Sequence, residues 1–140
     1  MTYTITITNS LWDDMGSAIE SRETDMSNDP TYNPPGLRDM ITAYYVAAGM
    51  QHHYVPPEHI DAYLAAIGGA APRPLKSKAR LVLPSLDAVR ELREEVLYRT
   101  EFNAPRGSNR YGVRDPRPAV YRAGLRALAA IDEVLAQAAA

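Results

Sequence analysis

The sequence predicts an α+β fold dominated by four to five helices, with a small sheet that includes the N-terminal strand. Three observations lead there. Residues 2–8 alternate strictly between threonine and Tyr3, Ile5 or Ile7, the period-two pattern of a half-buried strand. Further on, apolar residues recur at three- and four-residue spacing in separate stretches, as amphipathic helices require. Prolines and glycines cluster between those stretches, where they end one element and open the next. At 140 residues, 46 % hydrophobic and 23 % charged, the chain is expected to form one compact domain over residues 1–140.

After the Thr2–Thr8 strand, Ser10 is the expected helix N-cap, with Asp13 completing a variant capping box. Leu11, Met15, Ala18, Ile19 and Arg22 carry that helix to about Glu23. Thr24–Gly36 is polar and rich in turn formers, which reads as a loop. Leu37, Met40, Ile41, Tyr44 and Ala47/Ala48 mark a second helix ending near Gly49. Pro56-Pro57 opens a third, with Ile60, Tyr63, Leu64 and Ile67 as its apolar stripe and Gly68-Gly69 as its stop.

Arg80–Leu83 is the second expected strand, paired with the first beneath the helices. Ser85 caps a fourth helix with Leu86, Val89, Leu92 and Val96 on one face. Arg90/Glu94 and Glu95/Arg99 are spaced for ion pairs along its outside. An arginine-rich loop follows from Thr100 to Asp115. The last helix begins near Pro116 and buries Val120, Gly124, Leu128, Ile131 and Leu135. The expected core adds Ile5, Ile7, Trp12, Ile41, Tyr44, Leu64, Ile67, Leu81, Val89, Leu92 and Val96. Helical spacing turns Tyr44 and Tyr63 inward and leaves Tyr45 and Tyr54 less so.

Composition removes several functions. The chain has no cysteine, which excludes disulfides, zinc–thiolate sites and a cysteine nucleophile and fits a reducing, cytoplasmic setting. No run approaches the ~18 apolar residues of a membrane span, and the N-terminus lacks the features of a secretion signal. The common hydrolase, metalloprotease and dinucleotide templates are absent. Gly69–Ser77 ends in Lys-Ser like a phosphate-binding loop, but Pro72 and Pro74 cannot donate the backbone N–H groups such a loop needs. His52, His53 and His59 lie near Glu58 and Asp61 without a metal-ligand spacing or a nucleophile. No catalytic residue, metal or cofactor is therefore assigned, and a small His/Asp enzyme ranks third among the readings.

Charge is the distinctive feature. The net charge is −2, yet Asp13, Asp14, Glu20, Glu23, Asp25 and Asp29 crowd one end against Arg22 alone. Arg106, Arg110, Arg114 and Arg117 line the long loop around Tyr111, and Arg122 and Arg126 extend them onto the last helix. These seven residues form the expected partner-binding surface. An acidic protein surface is favoured over nucleic acid, because the chain as a whole is negative. Folding back onto its own acidic segment and simple solvation compete with that reading. The leading expectation is a non-catalytic binding protein, an accessory or inhibitory factor of the kind viruses encode. The alternative is a subunit of a homo- or hetero-oligomer whose N-terminal strand gains a neighbour.

Overall fold

A computed structural model describes residues 1–49, 55–113 and 115–140. The fold is α+β and helix-dominated, with five helices among the described residues and a two-stranded antiparallel sheet that includes the N-terminal strand. In chain order the elements are β1 (Tyr3–Thr8), α1 (Asn9–Asn28), α2 (Leu37–Val46), α3 (Pro57–Ala66), β2 (Lys78–Leu83), α4 (Leu86–Phe102) and α5 (Pro118–Ala139), with a short 3₁₀ turn at Arg106–Ser108. His52, His53, Tyr54 and Arg114 fall outside the described residues.

The strands pair with Tyr3 opposite Leu83, Ile5 opposite Leu81 and Ile7 opposite Ala79. Ile5, Ile7, Ala79, Leu81 and Leu83 are buried, whereas Thr4, Thr6 and Lys78 are exposed. One face of the sheet thus meets the helices and the other meets solvent, as the alternation requires.

Thr8, not Ser10, caps α1: its hydroxyl accepts from the Leu11 N–H at 3.3 Å. The helix also continues past Glu23 to Asn28, through residues expected to form a loop. Met26 supplies the reason, since it prolongs the stripe of Leu11, Met15 and Ile19 and packs against the core. Burial of that face outweighs the poor helix propensity of the last turn. Ser85 caps α4 as expected, accepting from the Ala88 N–H at 3.1 Å. α5 starts at Pro118 rather than Pro116, with proline in the first turn, where its missing N–H costs nothing.

α2 is the central helix, buried from Met40 to Val46 and including Tyr45, which helical spacing had placed less clearly inward. It is joined to α1 by a reciprocal pair. Trp12 Nε1 donates to the Tyr44 carbonyl at 2.9 Å, and the Tyr44 hydroxyl donates to the Trp12 carbonyl at 2.5 Å. Their rings stack with centroids 4.4 Å apart. α3 reaches the sheet through the buried Tyr63, whose hydroxyl donates to the Val82 carbonyl at 2.5 Å. Trp12, Leu64, Ile67, Leu128 and Leu135 lie at the rim of the core, half-buried.

Two glycines permit close approaches. Gly36 has φ +82°, and a Cβ there would lie 2.3 Å from the Ala88 backbone nitrogen, so α2 starts hard against α4. A Cβ on Gly124 would lie 2.0 Å from Thr100 Oγ1, which marks the α4–α5 crossing.

Candidate functional site

The last turns of α4 and the loop after it build an exposed aromatic surface. Val89, Leu92 and Val96 point inward, so Tyr98 and Phe102, one turn apart, fall on the other side of the helix. Asn103 ends the helix, and Asn109 bends the loop back over it. The Asn109 side-chain amide donates to the Phe102 and Ala104 carbonyls at 2.8 and 2.9 Å, and its Oδ1 accepts from the Tyr111 N–H at 3.0 Å. Gly112, at φ +67°, carries the chain out of this turn.

Tyr111 is thereby laid beside α4. Its ring centroid is 5.5 Å from Tyr98 in an edge-to-face arrangement and 6.0 Å from Phe102. Tyr98 and Tyr111 remain 39 % and 44 % exposed, among the most exposed large apolar side chains described. Arginine lies on this cluster: Arg99 Cζ is 4.1 Å from the Phe102 centroid, and Arg110 Cζ is 5.6 Å from that of Tyr111. A groove of about 350 Å³ adjoins Tyr98 and Arg99 between α1 and α4, with Ala18 and Ser21 on its far wall.

Asp14 on α1 anchors both ends of the loop. Its carboxylate accepts from Arg99 at 2.8 and 3.1 Å, from the Asn103 amide at 2.9 Å and from Arg117 at 3.3 Å. The hydrogen bond to Asp14 also holds the Arg99 guanidinium above its ordinary pKa. Fold-back of the loop onto the acidic segment therefore occurs at Arg117, which reaches Asp14. A second cluster lies further along α1. Arg22 sits 2.7 Å from a Glu91 oxygen and 3.1 Å from Glu95. Burial raises the Glu95 carboxyl, and Arg22 only partly offsets it.

These clusters replace the expected pairs on α4. Glu95 goes to Arg22, Arg99 goes to Asp14, and Arg90 pairs with Asp87 at 3.1 Å instead of Glu94. For Glu95 and Arg99, partly buried partners on α1 win over a neighbour one turn away, whereas Arg90 only exchanges one exposed neighbour on its own helix for another.

The expected surface residues separate. Arg110 and Tyr111 join the aromatic cluster, and Arg110 reaches Glu101 at 3.1 Å. Arg106 is exposed on the 3₁₀ turn. Arg117 turns toward α1 and Asp14. Arg122 and Arg126 are exposed on α5. Tyr98 and Phe102 are not among the expected surface residues, although two aromatics at helical spacing opposite an apolar stripe are a legible signal. Arg99 is expected on the outside of the helix, but as the partner of Glu95.

A second concavity, about 150 Å³, is lined by Glu23, Met26, Arg38, Ile41, Thr42 and His59. Burial and the Glu20 charge push the Glu23 carboxyl up to about 7, against a hydrogen bond from Tyr45. Burial and Arg38 lower the His59 imidazole. Glu58 and Asp61 are exposed on α3. Among the described residues no group of three or more histidines, aspartates and glutamates could hold a metal, and no helix is long and apolar enough to cross a membrane.

Comparison with protein families, with characterised proteins and with solved structures finds no match to this chain.

Proposed function

We propose that the chain is a non-catalytic binding protein that captures a protein partner on the Tyr98–Phe102–Tyr111 surface. The observation that carries this reading is the cluster itself: three aromatics held together, two of them well exposed, with arginine stacked on them. Tyrosine and arginine are the side chains that dominate binding energy at protein interfaces. Asn109 and Asp14 hold the loop in place before any partner arrives, which lowers the ordering cost of association.

Charge sets the partner's character. Asp14 is shared by Arg99 and Arg117, so that corner keeps a surplus positive charge beside the aromatics. Arg110, by contrast, is paired with Glu101. A modest surplus suits an apolar side chain ringed by carboxylates. It does not suit a phosphate backbone, which calls for a row of unpaired cations.

The test is capture from a nuclease-treated extract of the source organism by the native chain and by Tyr98→Ala/Tyr111→Ala. The native chain retains a defined protein, and the double variant loses it with its thermal midpoint nearly unchanged. Equal capture by both chains, or capture that disappears with nuclease, contradicts the reading.

A second reading, a small acid–base enzyme, draws on Glu23 and His59 lining one cleft. It ranks lower, because among the described residues no activated nucleophile accompanies them.

A further inference from the structure

We infer that the outer edge of β1 is a self-association site, which pairs antiparallel with β1 of a second copy about a two-fold axis at Ile5. The ladder shows which backbone groups are available. Asn9 N–H donates to the Ser77 carbonyl at 3.3 Å, which continues the β1–β2 register by one residue. Because antiparallel pairs alternate, Tyr3, Ile5 and Ile7 bond toward β2, and Thr4 and Thr6 present N–H and C=O outward. The same alternation turns Val82 away from β1, where Tyr63 on α3 takes its carbonyl. The outer edge of β2 is thus partly covered. Among the described residues no hydrogen bond reaches Thr4 or Thr6.

Protein sheets usually protect such an edge with lysine, proline or a bulge. Residues 1–12 contain no charged side chain and no proline, and β1 pairs in unbroken register. A neutral edge also meets a copy of itself without repulsion, although the chain carries −2 overall.

The occupant follows from the symmetry of the strand. Thr-Tyr-Thr-Ile-Thr-Ile-Thr keeps the same face pattern when reversed about Ile5. A two-fold axis there sets Thr4 opposite Thr6 of the second copy and Thr6 opposite its Thr4, so every outward donor finds an acceptor. On the solvent face, threonine meets threonine, a favourable cross-strand pair. On the inner face, the row of Leu81 and Ile5 continues into Ile5 and Leu81 of the copy. The marginal two-stranded sheet becomes four-stranded, and one patch serves both subunits, as a closed dimer requires.

Sedimentation of three full-length chains tests this. The native chain sediments as a dimer at high micromolar concentration. Thr4→Lys/Thr6→Lys sets lysine against lysine at both symmetric positions and weakens the dimer at least about tenfold. The variant stays folded, since both side chains point to solvent, although its thermal midpoint falls slightly because lysine at position 6 faces Arg80 across the ladder. Mixing it with Thr4→Glu/Thr6→Glu restores a dimer containing one chain of each kind. A monomeric native chain overturns the proposal. So does a dimer that survives the lysines, or a lysine variant that the glutamate variant does not rescue.

Discussion

Asp14 and Arg22 lie about two turns apart on α1, and each gathers opposite charges from distant parts of the chain. Asp14, its side chain 5 % exposed, holds two guanidiniums and an amide. Arg22, 21 % exposed, holds two carboxylates from the middle of α4. The first cluster leaves a positive surplus next to exposed aromatics and fixes a loop. The second leaves a negative surplus between two helices, and Arg22 Nη2 donates to the Tyr32 hydroxyl at 3.3 Å in the connector to α2. The same chemistry thus serves a surface at one end of α1 and the frame at the other.

Removing Asp14 is the most damaging way to break that contrast. Asp14→Ala strands Arg99, Arg117 and the Asn103 amide and is expected to cost about 3 kcal/mol in denaturant unfolding. It also frees the loop, so partner capture falls with stability. Arg22→Ala is expected to cost about 2 kcal/mol at alkaline pH, because it leaves the buried Glu95 carboxylate without its guanidinium. The loss shrinks as pH falls, because burial raises the Glu95 carboxyl and its protonation removes the unpaired charge, and a stability–pH series reads it directly.

Glu23 sharpens the picture of the frame. Its carboxyl moves from an ordinary 4.5 up to about 7 in the folded chain, so between those values the native state binds more protons than the unfolded state. Stability therefore falls as pH rises through that window. Glu23→Gln removes this slope and is more stable than the native chain above it, by about 1 kcal/mol once solvent screening is allowed for.

The loop responds differently. Asn109→Ala releases the turn that holds Tyr111 and is expected to cost about 1 kcal/mol in stability, while partner capture drops sharply. Arg110→Ala changes stability by less than about 0.5 kcal/mol, because its exposed pair with Glu101 is worth little. Thermal unfolding alongside capture separates the two effects.

Much of the frame was legible in the residues. The threonine–isoleucine alternation of β1, the Ser85 cap and the Pro57 and Gly68-Gly69 boundaries act through neighbours in sequence. What escaped depends on partners far away. The last turn of α1 exists because Met26, seven residues after Ile19, finds the core, a spacing that the polar turn formers around it in Thr24–Asn28 mask. Glu95 and Arg99 looked like a helical pair until Arg22 and Asp14, distant along the chain, claimed them. The aromatic surface was half visible: Tyr111 drew notice through its arginine neighbours, but only the Asn109 turn brings it to Tyr98 and Phe102.

The most direct test of the interaction surface is a photo-crosslinking residue at position 111, with one at the exposed Leu125 on α5 as control. In cells of the source organism, position 111 should yield one discrete protein adduct that is lost with Tyr98→Ala, and position 125 should not. Crosslinking to nucleic acid, or the same adducts from both positions, would contradict a protein-binding role for this surface.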